Sequence, residues 1–216
     1  MELGTWNLEL TLPKIYPITD TPLTHLSHTE QVKKLIEGGA KFIQLREKHA
    51  LPKDFYDDAK IALEIARKHS VKIIINDRVD IALALKADGV HLGQDDLPPE
   101  KARKILGRQA IIGYSTHSIE QAIEAVKLPI DYAAIGPVFA TTTKENPDEM
   151  VGIEGVRKVR ETIGNFPLVA IGGITSENYL EVFQNGADSV ALIKSILFPP
   201  EEISEKFRSF HLSLSR

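Results

Sequence analysis

Acidic residues follow two neighbouring apolar runs near the middle of the chain. The run Lys72–Ile75 leads to Asp77, and the run Asp88–Leu92 leads to Asp95 and Asp96. Both runs are typical of buried parallel strands, and a strand–helix–strand unit brings the carboxyl ends of its strands to one side of a sheet. We therefore expect Asp77 to converge with one of the later pair. Converging carboxylates are typical ligands of a hard divalent cation such as Mg²⁺.

Helix capping is the alternative role for these acids. Asp is a common helix N-cap, a helix is predicted after Asp77, and Pro98-Pro99 marks a helix start after Asp95 and Asp96. A metal role is favoured because acids end both neighbouring strands. Of the later pair, one residue is expected to face the site and the other to face solvent.

A charged segment, Gln44-Leu45-Arg46-Glu47-Lys48, closes the second predicted strand. On its own, such a run is usually a solvated surface. At the mouth of a barrel, beside a candidate metal site, Arg46 and Lys48 would instead hold a polyphosphate. Because side chains alternate along a strand, only one alternate set of this segment is expected to point inward.

Two later regions offer groups for a second anion. The loop after the sixth predicted strand contains Thr141-Thr142-Thr143-Lys144, and its length favours a binding loop over a plain surface connection. Gly172-Gly173 and Ile193-Lys194 follow the seventh and eighth predicted strands, where barrels commonly bind phosphate. Glycines let backbone N–H groups approach an anion, although Gly-Gly can also be a simple turn.

Neither Ser115 nor His91 has the sequence context of a catalytic nucleophile or a metal ligand. No Gly-x-Ser-x-Gly elbow surrounds Ser115, so a hydrogen-bond donor is the better interpretation. His91 lies inside the fourth predicted strand, and a buried structural role is favoured because no other His or Cys has metal-ligand spacing with it. The candidate residues thus form one anion site with a metal and one built on glycine backbone. Loss of a diphosphate from carbon fits this equipment.

Strands and helices alternate eight times along the chain, and this alternation must position the residues above. It predicts an α/β fold, a single (β/α)₈ TIM barrel over residues 1–216 with 1–13 as an N-terminal extension, and an active site at the C-terminal strand ends. An open doubly wound sheet is the alternative, but the Gly-x-Gly-x-x-Gly turn that usually follows its first strand is absent. The predicted strands are 15–19, 42–45, 72–75, 88–92, 110–113, 132–135, 168–171 and 189–193. The clearest predicted helices are 53–69, 79–85, 119–126, 154–163 and 177–184, the last capped by Ser176.

Composition excludes several classes of protein. Hydrophobic residues make up 43% and charged residues 26% of the 216, which is typical of a globular chain. The net charge of -4 argues against a general nucleic-acid surface, and the lack of cysteine excludes disulfides and cysteine nucleophiles. The N-terminus carries no basic region of a secretory signal, and no apolar stretch could span a bilayer. A cytoplasmic protein without membrane or nucleic-acid partners is predicted, and its oligomeric state is left open.

Taken in order, the motifs resemble those of the thiamine-phosphate synthase (thiamine phosphate pyrophosphorylase) family. The resemblance runs from Tyr16 to Ile193, nearly the whole chain. Each motif alone is weak, but their order is highly specific. The matching segments are Gln44 to Lys48, Ile75 to Asp77, Asp88 to Asp96, Gly113 to Ser115, Gly136 to Phe139, Thr141 to Lys144 and Ile171 to Ile174.

The resemblance implies a transferase of thiamine biosynthesis. It would join 4-amino-2-methyl-5-hydroxymethylpyrimidine diphosphate to 4-methyl-5-(2-hydroxyethyl)thiazole phosphate, giving thiamine phosphate and diphosphate by a dissociative, Mg²⁺-assisted displacement. By the resemblance, Mg²⁺ is held by Asp77 and Asp96. The residues implied for the pyrimidine diphosphate are Gln44, Leu45, Arg46, Glu47, Lys48, Asn76, Ser115 and Lys144. Those implied for the thiazole phosphate are Thr141, Thr142, Thr143, Gly173, Ile193 and Lys194.

Two positions depart from the family pattern, and two other functions compete. Lys194 stands where small hydroxyl residues are familiar, and Tyr114 stands where a smaller residue is common and could tighten the pocket. A thiazole tautomerase shares the barrel but would not need the acidic pair or the full charged segment. A non-catalytic barrel that binds thiazole phosphate as a regulator would need neither intact acids nor Lys144.

Overall fold

Eight parallel strands form the centre of the molecule. The computed structural model describes residues 10–141 and 148–213. The strands are hydrogen-bonded in the order β1-β8-β7-β6-β5-β4-β3-β2, and a bridge between Ile18 and Gln44 closes the sheet. This confirms the (β/α)₈ barrel. The strands are β1 Ile15–Pro17, β2 Phe42–Leu45, β3 Lys72–Asn76, β4 Gly89–Leu92, β5 Ile111–Thr116, β6 Tyr132–Ile135, β7 Leu168–Ile171 and β8 Ser189–Leu192.

Helices follow the strands and cover the outside of the barrel. Two of them, α1 and α9, have four residues each and follow β1 and β8 at the C-terminal end of the barrel, and neither was predicted. Within the described ranges, no helix is long and apolar enough to cross a membrane. The helices are α1 Thr21–Thr24, α2 His28–Glu37, α3 Pro52–Lys68, α4 Val79–Leu85, α5 Pro99–Leu106, α6 Ile119–Ala125, α7 Gly152–Ile163, α8 Tyr179–Gln184, α9 Lys194–Leu197 and α10 Ile203–Ser213.

Several predicted boundaries were wrong by a few residues, and two differences affect the site. Strand β5 continues to Thr116 instead of ending at Gly113, so Ser115 lies within a strand. Helix α8 begins at Tyr179, because Asn178 Oδ1 accepts the Thr175 N–H at 2.8 Å and forms a turn there. The predicted cap, Ser176, instead donates to the Glu177 carboxylate.

The buried apolar residues form two separate clusters. The larger one lies between the sheet and the helices, and the stripe of α3 (Phe55, Ala59, Ala62, Leu63 and Ala66) packs into it as its spacing predicts. The smaller one fills the barrel interior with inward side chains such as Tyr16, Phe42, Ile74 and Tyr132. Farther along β2 and β3, the inward side chains are Gln44 and Asn76, which leaves hydrogen-bonding groups at the C-terminal end of the barrel.

Three aspartates fasten the strands in pairs at the opposite end of the barrel. Asp88, Asp131 and Asp188 lie just before β4, β6 and β8, and each accepts a backbone N–H near the start of the preceding odd-numbered strand, at 2.8, 2.7 and 2.8 Å. Arg103 donates to Asp131 at 2.7 Å, and Arg160 donates to Asp188 at 2.5 Å. We call Asp88, Asp131 and Asp188, each together with the groups that donate to it, the aspartate clamps.

Candidate active site

A cavity of about 1370 Å³ opens at the C-terminal ends of the strands, and residues from all eight strand ends line it. Pockets for a single small ligand usually occupy about 300–1,000 Å³, so this cavity has room for two. Most predicted site residues within the described ranges line it. They are Gln44, Arg46, Lys48, Asn76, Asp77, Asp96, Ser115, Thr141, Gly173, Ile193 and Lys194.

Asp77 and Asp96 come together at one side of this cavity. Burial raises the pKa of Asp96, and a hydrogen bond to Asp77 and the charge of that residue raise it further. Asp96 Oδ2 accepts the Gly93 N–H at 2.7 Å, and Lys48 Nζ lies 2.5 Å from Asp77 Oδ2. Neither α4 nor α5 has a side-chain N-cap, so the capping alternative for these acids is wrong.

The acidic pair offers a donor set that fits Mg²⁺. No group of three or more His, Cys, Asp or Glu side chains is close enough to hold a metal anywhere in the described residues. Mg²⁺ usually keeps several waters and binds through one or two carboxylates together with substrate phosphates. Two carboxylates in contact therefore suit this ion better than zinc, which prefers closed sites of nitrogen and sulfur ligands.

Two cations of the charged segment line the cavity beside the acids. Arg46 Nη1 lies 3.2 Å from Asp20 Oδ2, which holds its guanidinium at the wall, and Lys48 contacts Asp77. Their neighbours Leu45 and Glu47 do not line the cavity. Leu45 is fully buried in the outer core, as the alternation of a strand requires.

Glu47 instead holds the loop that follows β2. Its carboxylate accepts the N–H groups of Lys48, His49 and Ala50 at 2.8, 2.8 and 3.0 Å, and the Thr21 hydroxyl at 3.0 Å. Burial raises the pKa of Glu47, but these donors outweigh it and lower the pKa to about 2. Glu47 is therefore ionised, and it holds the loop that forms this wall without facing the cavity itself.

A chain of hydrogen bonds crosses the floor of the cavity. Gln44 Nε2 donates to the Tyr16 hydroxyl at 2.9 Å, and the Tyr16 and Tyr132 hydroxyls lie 2.9 Å apart. His91 Nδ1 lies 3.0 Å from the Tyr132 hydroxyl, and His91 Nε2 lies 2.9 Å from Ser115 Oγ. We call these five side chains the floor relay. His91 is buried, as its place inside a strand predicted.

A glycine turn and the short helix α9 line the other side of the cavity. Gly172 and Gly173 have φ of 102° and 63°, and a Cβ on Gly173 would lie 2.5 Å from the Ala140 carbonyl oxygen, so no larger residue fits that backbone. Ile193 and Lys194 follow the neighbouring strand β8, where Ile193 is the N-cap and Lys194 the first residue of α9, and both line the cavity. Among the described residues, Ser195 Oγ is a buried polar atom with no hydrogen-bond partner, and it belongs to the cavity wall.

Comparison with known proteins assigns the family. A model of the family described as "Thiamine monophosphate synthase" matches residues 15–196. The chain belongs to this family. It is 47% identical over 185 residues to the thiamine-phosphate synthase of Clostridium novyi, which covers 85% of this chain and 90% of that relative. It is 40% identical over 185 residues to the synthase of Chloroflexus aurantiacus, covering 85% of each.

Solved structures agree with this assignment. The thiamine phosphate pyrophosphorylase of Pyrococcus furiosus superposes with a TM-score of 0.83 at 37% identity, covering 94% of this chain and 95% of that one. A structure described as native KDPGal superposes at 0.71 with only 14% identity, which shows the shared barrel alone. The predicted family is thus confirmed, and with it the predicted class of synthase.

Some synthase residues predicted from the sequence lie outside the described ranges, and others were missed. Thr142, Thr143 and Lys144 fall within residues 142–147, which the structure does not describe. Tyr114 packs on the outer core and does not line the cavity, so it does not tighten the pocket. Sequence reasoning missed Tyr16, Asp20 and Ser195. The place of Ser195 beside Lys194, directly after β8, was the available signal for that residue.

Proposed function

We propose that this chain joins 4-amino-2-methyl-5-hydroxymethylpyrimidine diphosphate to 4-methyl-5-(2-hydroxyethyl)thiazole phosphate, releasing thiamine phosphate and diphosphate. One observation carries the proposal within the family. A single cavity holds a carboxylate pair flanked by two cations on one side. On the other side it holds a glycine turn and the Ser195 hydroxyl, which has no hydrogen-bond partner in the described part of the chain. Two phosphorylated substrates require two such regions.

The diphosphate side of the cavity is built for Mg²⁺. Asp77 and Asp96 would hold the ion, since two like charges in contact repel and a divalent cation removes that repulsion. When bound, Mg²⁺ supplies positive charge to the diphosphate oxygens and makes the diphosphate a better leaving group. Arg46 and Lys48, which face the same volume, donate to the same anion.

Polar side chains of the floor hold the pyrimidine. Gln44 and Asn76 are 2% and 6% exposed, and both line the cavity, so their amides are fixed before a ligand enters. An aminopyrimidine presents both donors and acceptors, and an amide side chain can serve either. Ser115 adds a hydroxyl to the lining of the cavity.

The opposite side holds the thiazole phosphate. The backbone N–H of Gly173, the hydroxyl of Thr141 and the buried hydroxyl of Ser195 supply neutral donors there. The Ile193-Lys194 backbone completes this subsite. By the family resemblance, Thr142 and Thr143 also serve the thiazole phosphate, and Lys144 serves the diphosphate.

The reaction needs no covalent nucleophile from the protein. The bond between the pyrimidine methylene carbon and the diphosphate oxygen breaks, and its electron pair leaves with the diphosphate. Arg46 and Lys48 stabilise the charge that develops on that oxygen. The thiazole nitrogen then gives its lone pair to the methylene cation and forms the new carbon–nitrogen bond. A cytoplasmic location and the absence of membrane and nucleic-acid partners stay predictions of the sequence.

A product assay with both substrates tests the proposal. Thiamine phosphate and diphosphate are expected in equal amounts when Mg²⁺ is present, and neither is expected when EDTA replaces it. A tautomerase would change the thiazole substrate without the pyrimidine. A regulatory barrel would bind thiazole phosphate without releasing diphosphate. Either of those results, with no thiamine phosphate formed, rejects the proposed function.

A further inference from the structure

We propose that Tyr132 and His91 are positioning residues, which orient the Ser115 hydroxyl so that its proton points into the cavity. The proposal rests on the proposed function in one respect only, which is that the acceptor of this proton is an atom of the pyrimidine diphosphate. The orientation itself is a property of the chain alone. Tyr132 is fully buried and does not line the cavity, so its hydroxyl serves the relay rather than a ligand.

The Gln44 amide, at one end of the floor relay, determines which group donates in every hydrogen bond of the relay. Gln44 Nε2 can only donate, so the Tyr16 oxygen accepts from it. The buried Tyr16 proton needs an acceptor, and among the described residues the Tyr132 oxygen is the acceptor in contact with it, so Tyr16 donates to Tyr132. The Tyr132 proton then goes to His91 Nδ1. A neutral imidazole that accepts at Nδ1 carries its proton at Nε2, and that N–H donates to Ser115 Oγ.

The charge states of these groups agree with that direction. The His91 ring is buried and its two nitrogens contact the Tyr132 and Ser115 hydroxyls, so its apolar surroundings favour the neutral ring, which holds one N–H proton. Burial also raises the pKa values of Tyr16 and Tyr132, which keeps both phenols protonated. Ser115 Oγ therefore accepts from His91, and its own proton is left for a ligand.

The glycine at position 113 makes room for the central bond of the relay. A Cβ on Gly113 would lie 2.3 Å from the Tyr132 hydroxyl oxygen and 2.5 Å from His91 Nδ1, too close for either to stay. The rings of His91 and Tyr132 stack with their centroids 5.5 Å apart. The glycine in β5 therefore leaves room for the contact between His91 and Tyr132, which any larger side chain at this position would break.

This arrangement also argues against Ser115 as a nucleophile. An attacking hydroxyl must pass its proton to a base, but in the proposed tautomer the ring nitrogen that contacts Ser115 Oγ, His91 Nε2, carries a proton of its own. Ser115 is consequently a fixed hydrogen-bond donor. We expect its proton to meet an oxygen of the diphosphate or a ring nitrogen of the pyrimidine, both of which are acceptors.

The tautomer of His91 can be read directly by ¹⁵N NMR. Long-range ¹H–¹⁵N spectra of the seven histidines, with His91 assigned by comparison with His91→Gln, are expected to give a neutral ring protonated at Nε2 between pH 6 and 8. A ring protonated at Nδ1 would overturn the proposal. This measurement needs no substrate, so it decides the question even if the chain makes no thiamine phosphate or Tyr132→Phe fails to fold.

A double-mutant cycle tests whether Tyr132 acts through Ser115. Tyr132→Phe is expected to lower kcat about tenfold, the effect of one displaced hydrogen bond, and to lower it less than twofold in a Ser115→Ala background. The buried Tyr179, which packs outside the barrel on Phe210, gives a matched control whose Phe variant should keep the full rate. Equal losses with and without Ser115, or equal losses in the two tyrosine variants, would show a merely structural role.

Discussion

At the scale of single residues, the acidic pair supports the proposed Mg²⁺ site. Asp77 and Asp96 meet as the strand–helix–strand geometry predicted, and burial together with the Asp77 contact raises the pKa of Asp96. An acid whose pKa is higher in the folded chain stabilises the fold while it is protonated. That stabilisation is fully present below the ordinary pKa and is lost as pH rises through the raised one. At neutral pH the metal-free pair is thus a cost to stability.

Asp96→Asn separates this cost from function. The change removes one charge of the pair, so we expect turnover with Mg²⁺ to fall about 100-fold or more while the melting temperature at pH 7 stays equal or rises. Asp80→Asn is the matched control, because Asp80 is exposed and pairs with Arg78 away from the cavity. Steady-state assays and thermal unfolding measure the two effects. Full activity in Asp96→Asn would remove the metal role.

Ser195 gives a second prediction at this scale. Its buried hydroxyl has no hydrogen-bond partner among residues 10–141 and 148–213, so a phosphate that accepts from it gains a hydrogen bond at little cost in ordering. Ser195→Ala should raise the KM for thiazole phosphate about tenfold and leave the KM for the pyrimidine diphosphate unchanged. The exposed Ser176, in the loop before α8, provides a control whose Ala variant should match the unsubstituted chain. Parallel changes in both KM values would contradict this role.

At the scale of elements, the aspartate clamps tie each odd-numbered strand from β3 onward to the next strand. Their environments differ. The Asp131–Arg103 pair is almost fully buried, with side chains 0% and 7% exposed, whereas Asp188 is 48% exposed and Arg160 is 20% exposed. Removing one partner of a buried pair leaves an uncompensated charge, which is a far larger cost than losing a pair in contact with water.

Two matched variants test this difference. Asp131→Ala should lower the free energy of unfolding by about 3–5 kcal/mol, because it leaves the Arg103 guanidinium buried without its carboxylate. Asp188→Ala removes the equivalent acid and should cost clearly less, since water reaches that pair. Urea denaturation of both variants measures the difference. Equal costs would mean that the backbone N–H bonds, which the two clamps share, dominate.

The sequence analysis predicted the features that depend on short stretches of the chain and missed those that join residues far apart in sequence. The eight strands and the meeting of Asp77 with Asp96 depend on short apolar runs and on one local crossover, which a single sequence displays. The extension of β5 through Ser115 was missed because its polar residues resemble a loop, and only the closed barrel gives polar inward side chains a place. The floor relay was missed for a related reason, since its five residues come from five strands. The helices α1 and α9 have too few residues to show a helical period.

At the scale of the whole molecule, the cavity joins all eight strand ends, so a ligand held there stabilises the entire barrel. The single domain over residues 1–216 stays a prediction. The two proposed anion sites lie within one cavity, so we expect folding and substrate binding to be thermodynamically linked. Because of this linkage, the contribution of the metal to ligand binding can be measured from thermal unfolding, without following the reaction.

Thermal unfolding with Mg²⁺ and diphosphate tests this linkage. Ligands at 100 times their Kd stabilise a folded protein by about 2.7 kcal/mol, so Mg²⁺ and diphosphate together should raise the melting temperature by several degrees. Diphosphate with EDTA should raise it much less, and Asp96→Asn should lose most of the difference. An equal rise with and without Mg²⁺ would mean that Arg46 and Lys48 alone hold the anion.

The aspartate clamps also determine where the chain tolerates a break. Each clamp joins an odd-numbered strand to the acid before the next strand, and Arg103 and Arg160 reach their acids from the helix that precedes the odd-numbered strand. A cut between β6 and α7 therefore separates no acid from its donors, whereas a cut between β5 and β6 separates Asp131 from both. We expect protease fragments of the first kind to stay associated and those of the second kind to come apart.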